Sequence, residues 1–334
     1  MSTRQRRIAT AVLLAAALAA PFVLYPVFLM EALCFALFAC AFNLLLGYVG
    51  LLSFGHAAFF GSASYIAAYM VKALGFPPEL GILAGTAAAA LLGGIFGWLA
   101  IRRQGIYFSM VTLALAQMIY FIALQAPFTG GEDGIQAVPR GHLFGVVDLN
   151  STLTMYYFVL AVFLIGFAII VRTINSPFGQ VIRAIRENEP RALSLGYHAD
   201  HYKLVAFVLS AALAGLAGSV KALVFQLASL TDIQWEMSGT VVLMTLVGGV
   251  GTVTGPAVGA FVLIAMEHYF AQLGSWVTVI QGLIFVFCVL VFRQGIVGTI
   301  AHYAAGRRRA AQPATDQATT AEKPAESIAA GRSP

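Results

Sequence analysis

SPFGQVIRAIRENEPRALSLGYHADHYK, Ser176 to Lys203, stands between two long apolar runs and concentrates the charge of this chain. Arg183, Arg186, Glu187, Glu189, Arg191, Asp200 and Lys203 all fall inside it, although only 10% of the 334 residues are charged. Its flanks, LTMYYFVLAVFLIGFAIIV and LVAFVLSAALAGLAGSV, hold almost no charge. Ser176 can cap a helix on which Phe178, Val181, Ile182 and Ile185 form one apolar stripe. Asn188 and Pro190 restart a second short helix, and Gly196 suits its end. Two ordered helices in a charged connector make a docking knuckle for a soluble partner. Arg183, Arg186, Glu187 and Glu189 are expected to lie against that partner, with Val181, Ile182 and Ile185 gripping its groove or the membrane face. The competing reading is an amphipathic interfacial helix.

Outward from this loop the chain is apolar. Hydrophobic residues make up 60% of it and the mean hydropathy is +0.86, outside the range of soluble domains. Runs of roughly 18–22 apolar residues are each long enough to cross a bilayer as a helix. The alternation of a membrane barrel is absent. The fold class is therefore an all-α polytopic membrane protein with about ten transmembrane helices. Spans are expected near Ile8–Leu29, Ala32–Tyr48, His56–Leu74, Leu80–Ile101, Ile106–Ala126, Leu153–Val171, Leu204–Ala228, Gly239–Gly248, Pro256–Phe270 and Trp276–Phe292, with a tight turn at Met30–Glu31. The organisation is an N-terminal arm and first span (1–30), a core (31–300) carrying the charged loop 172–203, and a disordered cytoplasmic tail (301–334).

Charge sets the expected orientation. With the N-terminus inside, nearly all Lys and Arg fall on the inner side, and only Lys72, Arg140 and Lys221 lie outward. The net charge of +5 thus reads as topology, with the lipid bilayer as the partner and no nucleic acid. The basic, apolar N-terminus resembles a signal peptide, but the apolar run continues past Pro21, which favours an uncleaved span. Cys34, Cys40 and Cys288 have no paired spacing and read as buried thiols. Glu31, Lys221 and Glu267 fall near outer span ends, where snorkelling would relieve them.

Two glycine-rich breaks interrupt the spans. NLLLGYVGLLSFGHAAFFGSASYIAA (Asn43 to Ala68) and LVGGVGTVTGPAVGA (Leu246 to Ala260) share a G-x-V-G-x-x-[ST] core. Asn43, Ser53, Gly55 and His56 are candidates for a translocation path, because irregular backbone is tolerated in a membrane where it faces protein or a water-filled cavity. The alternative is helix packing, with His56 bonded to a carbonyl. Ser53 and His56 also bear on an intramembrane protease, but no G-x-S-x-G turn accompanies them. No Walker motif is present, so this chain has no phosphate cradle of that kind. His198, Asp200 and His201 read as a solvated turn with no metal bound. No span carries a central acidic residue of the sort a proton- or sodium-coupled carrier would use.

Several segments in order resemble the LivM-type permeases of branched-chain amino-acid ABC importers. They are the Asn43 break, GIYFSMVTLALAQ, TGGEDGI, the charged loop, KLVAFVLSAALAGLAGSV, the second break and VFRQGIVG. The resemblance implies a type II ABC importer fold with no catalysis in this chain. It implies a LivH-type second permease, two ATPase subunits that bind ATP and Mg²⁺, and a periplasmic substrate-binding protein. It also implies a multi-pass protein of the bacterial inner membrane with both termini cytoplasmic. The segment Asn188–Gly196 looks like a degenerate coupling motif in which Glu189, Ala192 and Gly196 fit, while Pro190 and Arg191 depart from the pattern. Thr129, Gly130, Gly131, Glu132 and Asp133 would face the binding protein. Leucine, isoleucine and valine are the implied cargo; urea, short amides and other small acids are carried by similar permeases.

Overall fold

The computed structural model describes residues 15–143, 145 and 147–270, together with 279–280, 282–283, 286, 290 and 295–299. Most of the expected span Trp276–Phe292, residues 8–14 of Ile8–Leu29, Cys288 and the tail 301–334 lie outside the described residues. What is described is predominantly helical.

The helices are α1 (Pro26–Asn43), α2 (His56–Lys72), α3 (Pro78–Ala100), α4 (Ile106–Gln125) and α5 (Thr152–Ile174). The loop helices α6 (Pro177–Glu187) and α7 (Glu189–Ser194) follow, then α8 (Ala199–Phe225), α9 (Trp235–Gly248) and α10 (Gly255–Phe270). A two-stranded hairpin, β1 (His142–Leu143) with β2 (Val147–Asp148), decorates the connection before α5. Among the described residues five segments are long and apolar enough to cross a bilayer: Pro26–Val49, Pro78–Ala100, Ile106–Gln125, Thr152–Ile174 and Ala199–Phe225.

The turn expected at Met30–Glu31 is not there, since α1 runs straight through both residues. The break falls earlier, in a 3-10 turn at Ala20–Phe22 followed by Pro26 near the helix start. Proline fixes its own φ and lacks a donor, so it favours a helix start over the interior. Likewise α8 begins at Ala199, which puts Asp200 and His201 in its first turn rather than in a solvated loop. An acidic side chain there complements the helix dipole.

Helix α1 is buried along nearly its whole length and forms the centre of the body. Helices α5, α8, α9 and α10 pack around it, and α2, α3 and α8 pack tightly on one another through small residues: Ala63, Gly85, Ala89 and Gly215 meet along one seam. Close backbone approach replaces the hydrophobic driving force that lipid cannot supply.

Charge is sorted between the two ends of this bundle. Arg102, Arg103, Arg172, Arg183, Arg186, Arg191 and Lys203 sit at the end that carries α6 and α7. Glu79, Glu132, Asp133, Asp148, Asp232 and Glu236 sit at the other. The three basic residues of that acidic end are each engaged within the protein. Lys72 Nζ donates to Gln136 O at 2.7 Å, and Arg140 donates to Leu223 O and Val224 O at 3.3 and 2.6 Å, capping α8. Lys221 pairs with Asp232. It turns inward rather than snorkelling, because the buried carboxylate of Asp232 pairs with it.

Candidate functional site

The two glycine-rich breaks, some 200 residues apart in sequence, meet face to face. Asn43, almost fully buried, clamps them: its Nδ2 donates to Thr252 O at 2.8 Å and its Oδ1 accepts from Gly251 N at 2.9 Å. Beyond Asn43 the helix widens into a π-helical segment, Leu44–Val49, which ends at Gly50 with φ +83°. Gly251 in the other break has φ +76°. Both are the second glycine of the shared motif, and both take the left-handed conformation that a Cβ disfavours. Each break then rejoins a helix through a hydroxyl that caps a glycine N–H: Ser53 Oγ accepts from Gly55 N and Thr252 Oγ1 from Gly255 N, both at 3.1 Å. The second glycines thus echo each other in structure, whereas the capping hydroxyls do not, since Ser53 aligns with Thr254 and not with Thr252. Gly47 lies where the breaks touch. A Cβ there would run into Asn43 Oδ1 and sit 2.7 Å from Gly251 N.

The charged loop rests on this junction. Ser176 caps α6 by accepting from Gly179 N at 3.3 Å, and Asn188 caps α7 by accepting from Arg191 N at 3.1 Å. Gly196, with φ +88°, closes the second helix. Arg186 reaches back from α6 and donates through Nη1 to Gly47 O. Arg183 donates to Ile174 O at 3.2 Å and stacks over Tyr48 at 5.1 Å. Gly47, Tyr48, Arg183, Arg186, Glu187 and Thr252 line a cleft of about 710 Å³ between the loop and the breaks.

The apolar stripe of α6 does not face outward as expected. Ile182 and Ile185 are buried against the protein's own body, because that body already supplies the apolar surface such a stripe needs. Glu189 accepts from Lys203 Nζ at 2.6 Å and from Gln104 Nε2 at 3.1 Å, pinning α7 to α8. Ala192 is buried beside it. The outward face of the loop instead carries Glu187, Arg191, Leu193, Tyr197 and Leu195, the last 70% exposed. Sequence reading missed Leu193, Leu195 and Tyr197, since they follow no helical period; their only signal is an apolar residue left over once the buried stripe is assigned.

His56 is fully buried at the start of α2. Its Nε2 lies 2.9 Å from Ser210 Oγ, and Ser210 donates onward to Ala41 O at 2.5 Å. Ser210 spends its proton on that carbonyl, so His56 Nε2 must carry the proton between them. The rings of Phe42, Phe59 and Phe207 surround it. Ser53 bonds to Gly55 N instead, so Ser53 and His56 do not form a nucleophile–base pair. Truncation of His56 to alanine is expected to cost about 2–4 kcal/mol through the cavity and the lost bond. Thermal unfolding in detergent measures this. An unchanged midpoint with altered transport would instead favour His56 as a lining residue.

At the acidic end, Thr129 is buried and donates to Ala123 O and Ala126 O. Gly130, Gly131 and Gly134 all have positive φ, which folds the TGGEDGI turn back so that Ile135 pairs with Ala228. Glu132 and Asp133 are exposed at its tip. Among the described residues no group of three or more His, Cys, Asp or Glu is placed to hold a metal.

Residues 26–289 match the family model described as branched-chain amino acid transport system / permease component. The high-affinity branched-chain amino acid transport system permease protein LivM of Salmonella typhimurium is 27% identical over 280 residues, covering 76% of this chain and 65% of the relative. LivM of Escherichia coli is 26% identical with the same coverage. BraD of Pseudomonas aeruginosa is 24% identical over 281 residues, 79% of this chain and 91% of its own. The match thus spans just under two thirds of the length of the two LivM relatives. No solved structure matches.

Proposed function

The chain belongs to the family of branched-chain amino-acid transport permease components, and on that premise we propose that it is one membrane-spanning subunit of an ATP-driven importer. Its cargo is leucine, isoleucine, valine or a related small amino acid. It catalyses no reaction itself. A LivH-type permease completes the pathway, two ATPase subunits bind ATP and Mg²⁺, and a periplasmic binding protein delivers the ligand. The fold is the type II importer fold of about ten helices, set in the bacterial inner membrane with both termini cytoplasmic.

The observation that carries this reading is the bond from Arg186 to Gly47 O. A loop with an exposed charged and apolar face is tied directly to the place where two broken spans are clamped together. Force applied to the loop by an ATPase would reach the backbone of both breaks through that contact and through Asn43. Glycines at the junction leave the backbone free to change conformation, as gates require. The basic loop end suits the cytoplasmic side, and the exposed Glu132 and Asp133 suit a surface for the binding protein.

Reconstitution separates this from a carrier working alone. Proteoliposomes holding this chain, its partner permease, the ATPases and the binding protein are expected to accumulate leucine only with ATP. Gradient-driven uptake by this chain alone overturns the reading, and uptake of urea or a short amide in place of leucine corrects its substrate.

A further inference from the structure

Helix α8 carries the buried Lys203 and the partly buried Lys221, each paired with a carboxylate. About five turns, or ~27 Å, separate them, so they share a face at opposite ends of the body. The loop-end pair with Glu189 is accounted for, since Gln104 completes it. The other pair is not complete. Asp232 is 1% exposed and uses Oδ1 for Lys221, while its Oδ2 has no partner among the described residues. The buried hydroxyl of Tyr65 also has none. Phe35, Phe60 and Phe225 present their ring faces to Lys221 Nζ at 5.7–5.8 Å. Glu31 interacts electrostatically with Lys221, Asp232, Glu267 and His268.

Lys221 thus pairs with one buried carboxylate, Asp232, beside an aromatic wall, with the half-buried Glu31 within electrostatic reach. A purely structural pair would gain from apolar replacement as often as it would lose, since desolvating two ions offsets their attraction. The missing group is a second ammonium, and an amino acid brings one together with a carboxylate. We propose that Lys221, Asp232, Tyr65 and Glu31 form a relay site for zwitterionic amino acids at the end of the body opposite the charged loop. The cargo's carboxylate takes the place of Asp232 on Lys221. Its ammonium goes to Asp232 and Glu31, Tyr65 donates to the cargo's carboxylate, and an aliphatic side chain lies on the phenylalanine faces. Each ion exchanges one partner for an equivalent one, so the site forms no deep well and cargo leaves it readily. The inference rests on the importer reading above.

The test uses the complete reconstituted complex with leucine as probe. The neutral pair Lys221→Met with Asp232→Leu is expected to assemble and hydrolyse ATP as wild type does, while leucine uptake falls at least tenfold. Tyr65→Phe removes a hydroxyl that bonds to nothing among the described residues, so a structural role predicts no change; uptake is expected to fall about threefold or more. Wild-type uptake by the neutral pair overturns the proposal. If the neutral pair fails to assemble, Tyr65→Phe decides: reduced uptake supports the site and wild-type uptake overturns it. A wild-type complex that takes up no amino acid would sink the importer reading itself, which is a separate result.

Discussion

Asn43→Leu is expected to disconnect the two glycine-rich breaks and abolish ATP-driven uptake. Leucine keeps the same branched four-atom skeleton but offers neither bond, so Gly251 N–H and Thr252 C=O lose their partner. Each buried polar group left unpaired costs about 1–3 kcal/mol, and the pair together about 2–6 kcal/mol. That is a large part of the stability a domain usually has. Asn43→Asp refines the test. It keeps the acceptor for Gly251 N–H but buries a carboxylate against Thr252 O, so at neutral pH it should melt no higher than the leucine variant. If Asn43→Leu melts at the wild-type temperature in detergent and transports normally, the clamp has no role.

Arg186→Glu should uncouple ATP hydrolysis from transport. The variant loses the donor to Gly47 O and sets a carboxylate against that carbonyl. A bond from a charged group contributes about 1.5–3 kcal/mol, which corresponds to roughly tenfold to a hundredfold in a coupled equilibrium. ATP-driven uptake should therefore fall at least about tenfold while binding-protein affinity for ligand is unchanged. Two controls separate the link from simple loss of charge. Glu187→Arg changes an exposed residue of the same loop and tests its outward face. Glu189→Arg breaks the pair with Lys203, which is 6% exposed in its side chain, and should destabilise α7 by about 3–5 kcal/mol. Wild-type coupling in Arg186→Glu would remove the link from loop to breaks.

The reading of the loop shows where sequence reasoning stops. Ser176, Asn188 and Gly196 were legible as caps because capping is a local matter between a side chain and a backbone group a few residues away. The direction of the stripe on α6 was not. Phe178, Val181, Ile182 and Ile185 make the same pattern whether they face an ATPase, lipid or the protein's own core. Only the position of α6 over the Leu44–Val49 segment and the start of α8 decided that Ile182 and Ile185 turn inward. The same limit applied to Lys221, which looks like a snorkelling lysine until Asp232, held in a separate turn, is brought beside it. The Met30–Glu31 turn failed for a different reason: two apolar runs were divided at a charge, whereas the local rule that governs the break is the proline at position 26.

By itself, then, the sequence determined that this chain is mostly helical with segments apolar enough to cross a membrane, where most of the described helices run, and which loop is charged and capped. Those properties follow from apolar length and short-range backbone chemistry, and both can be read along one dimension. The tertiary structure alone decided that the two glycine breaks touch, that Asn43 clamps them, that Arg186 holds the loop to their junction and that Lys221 meets Asp232. Such contacts join residues 11 to about 209 positions apart. A chain with no charge pattern of its own in those segments carries no local signal of which distant partner will satisfy a buried polar group.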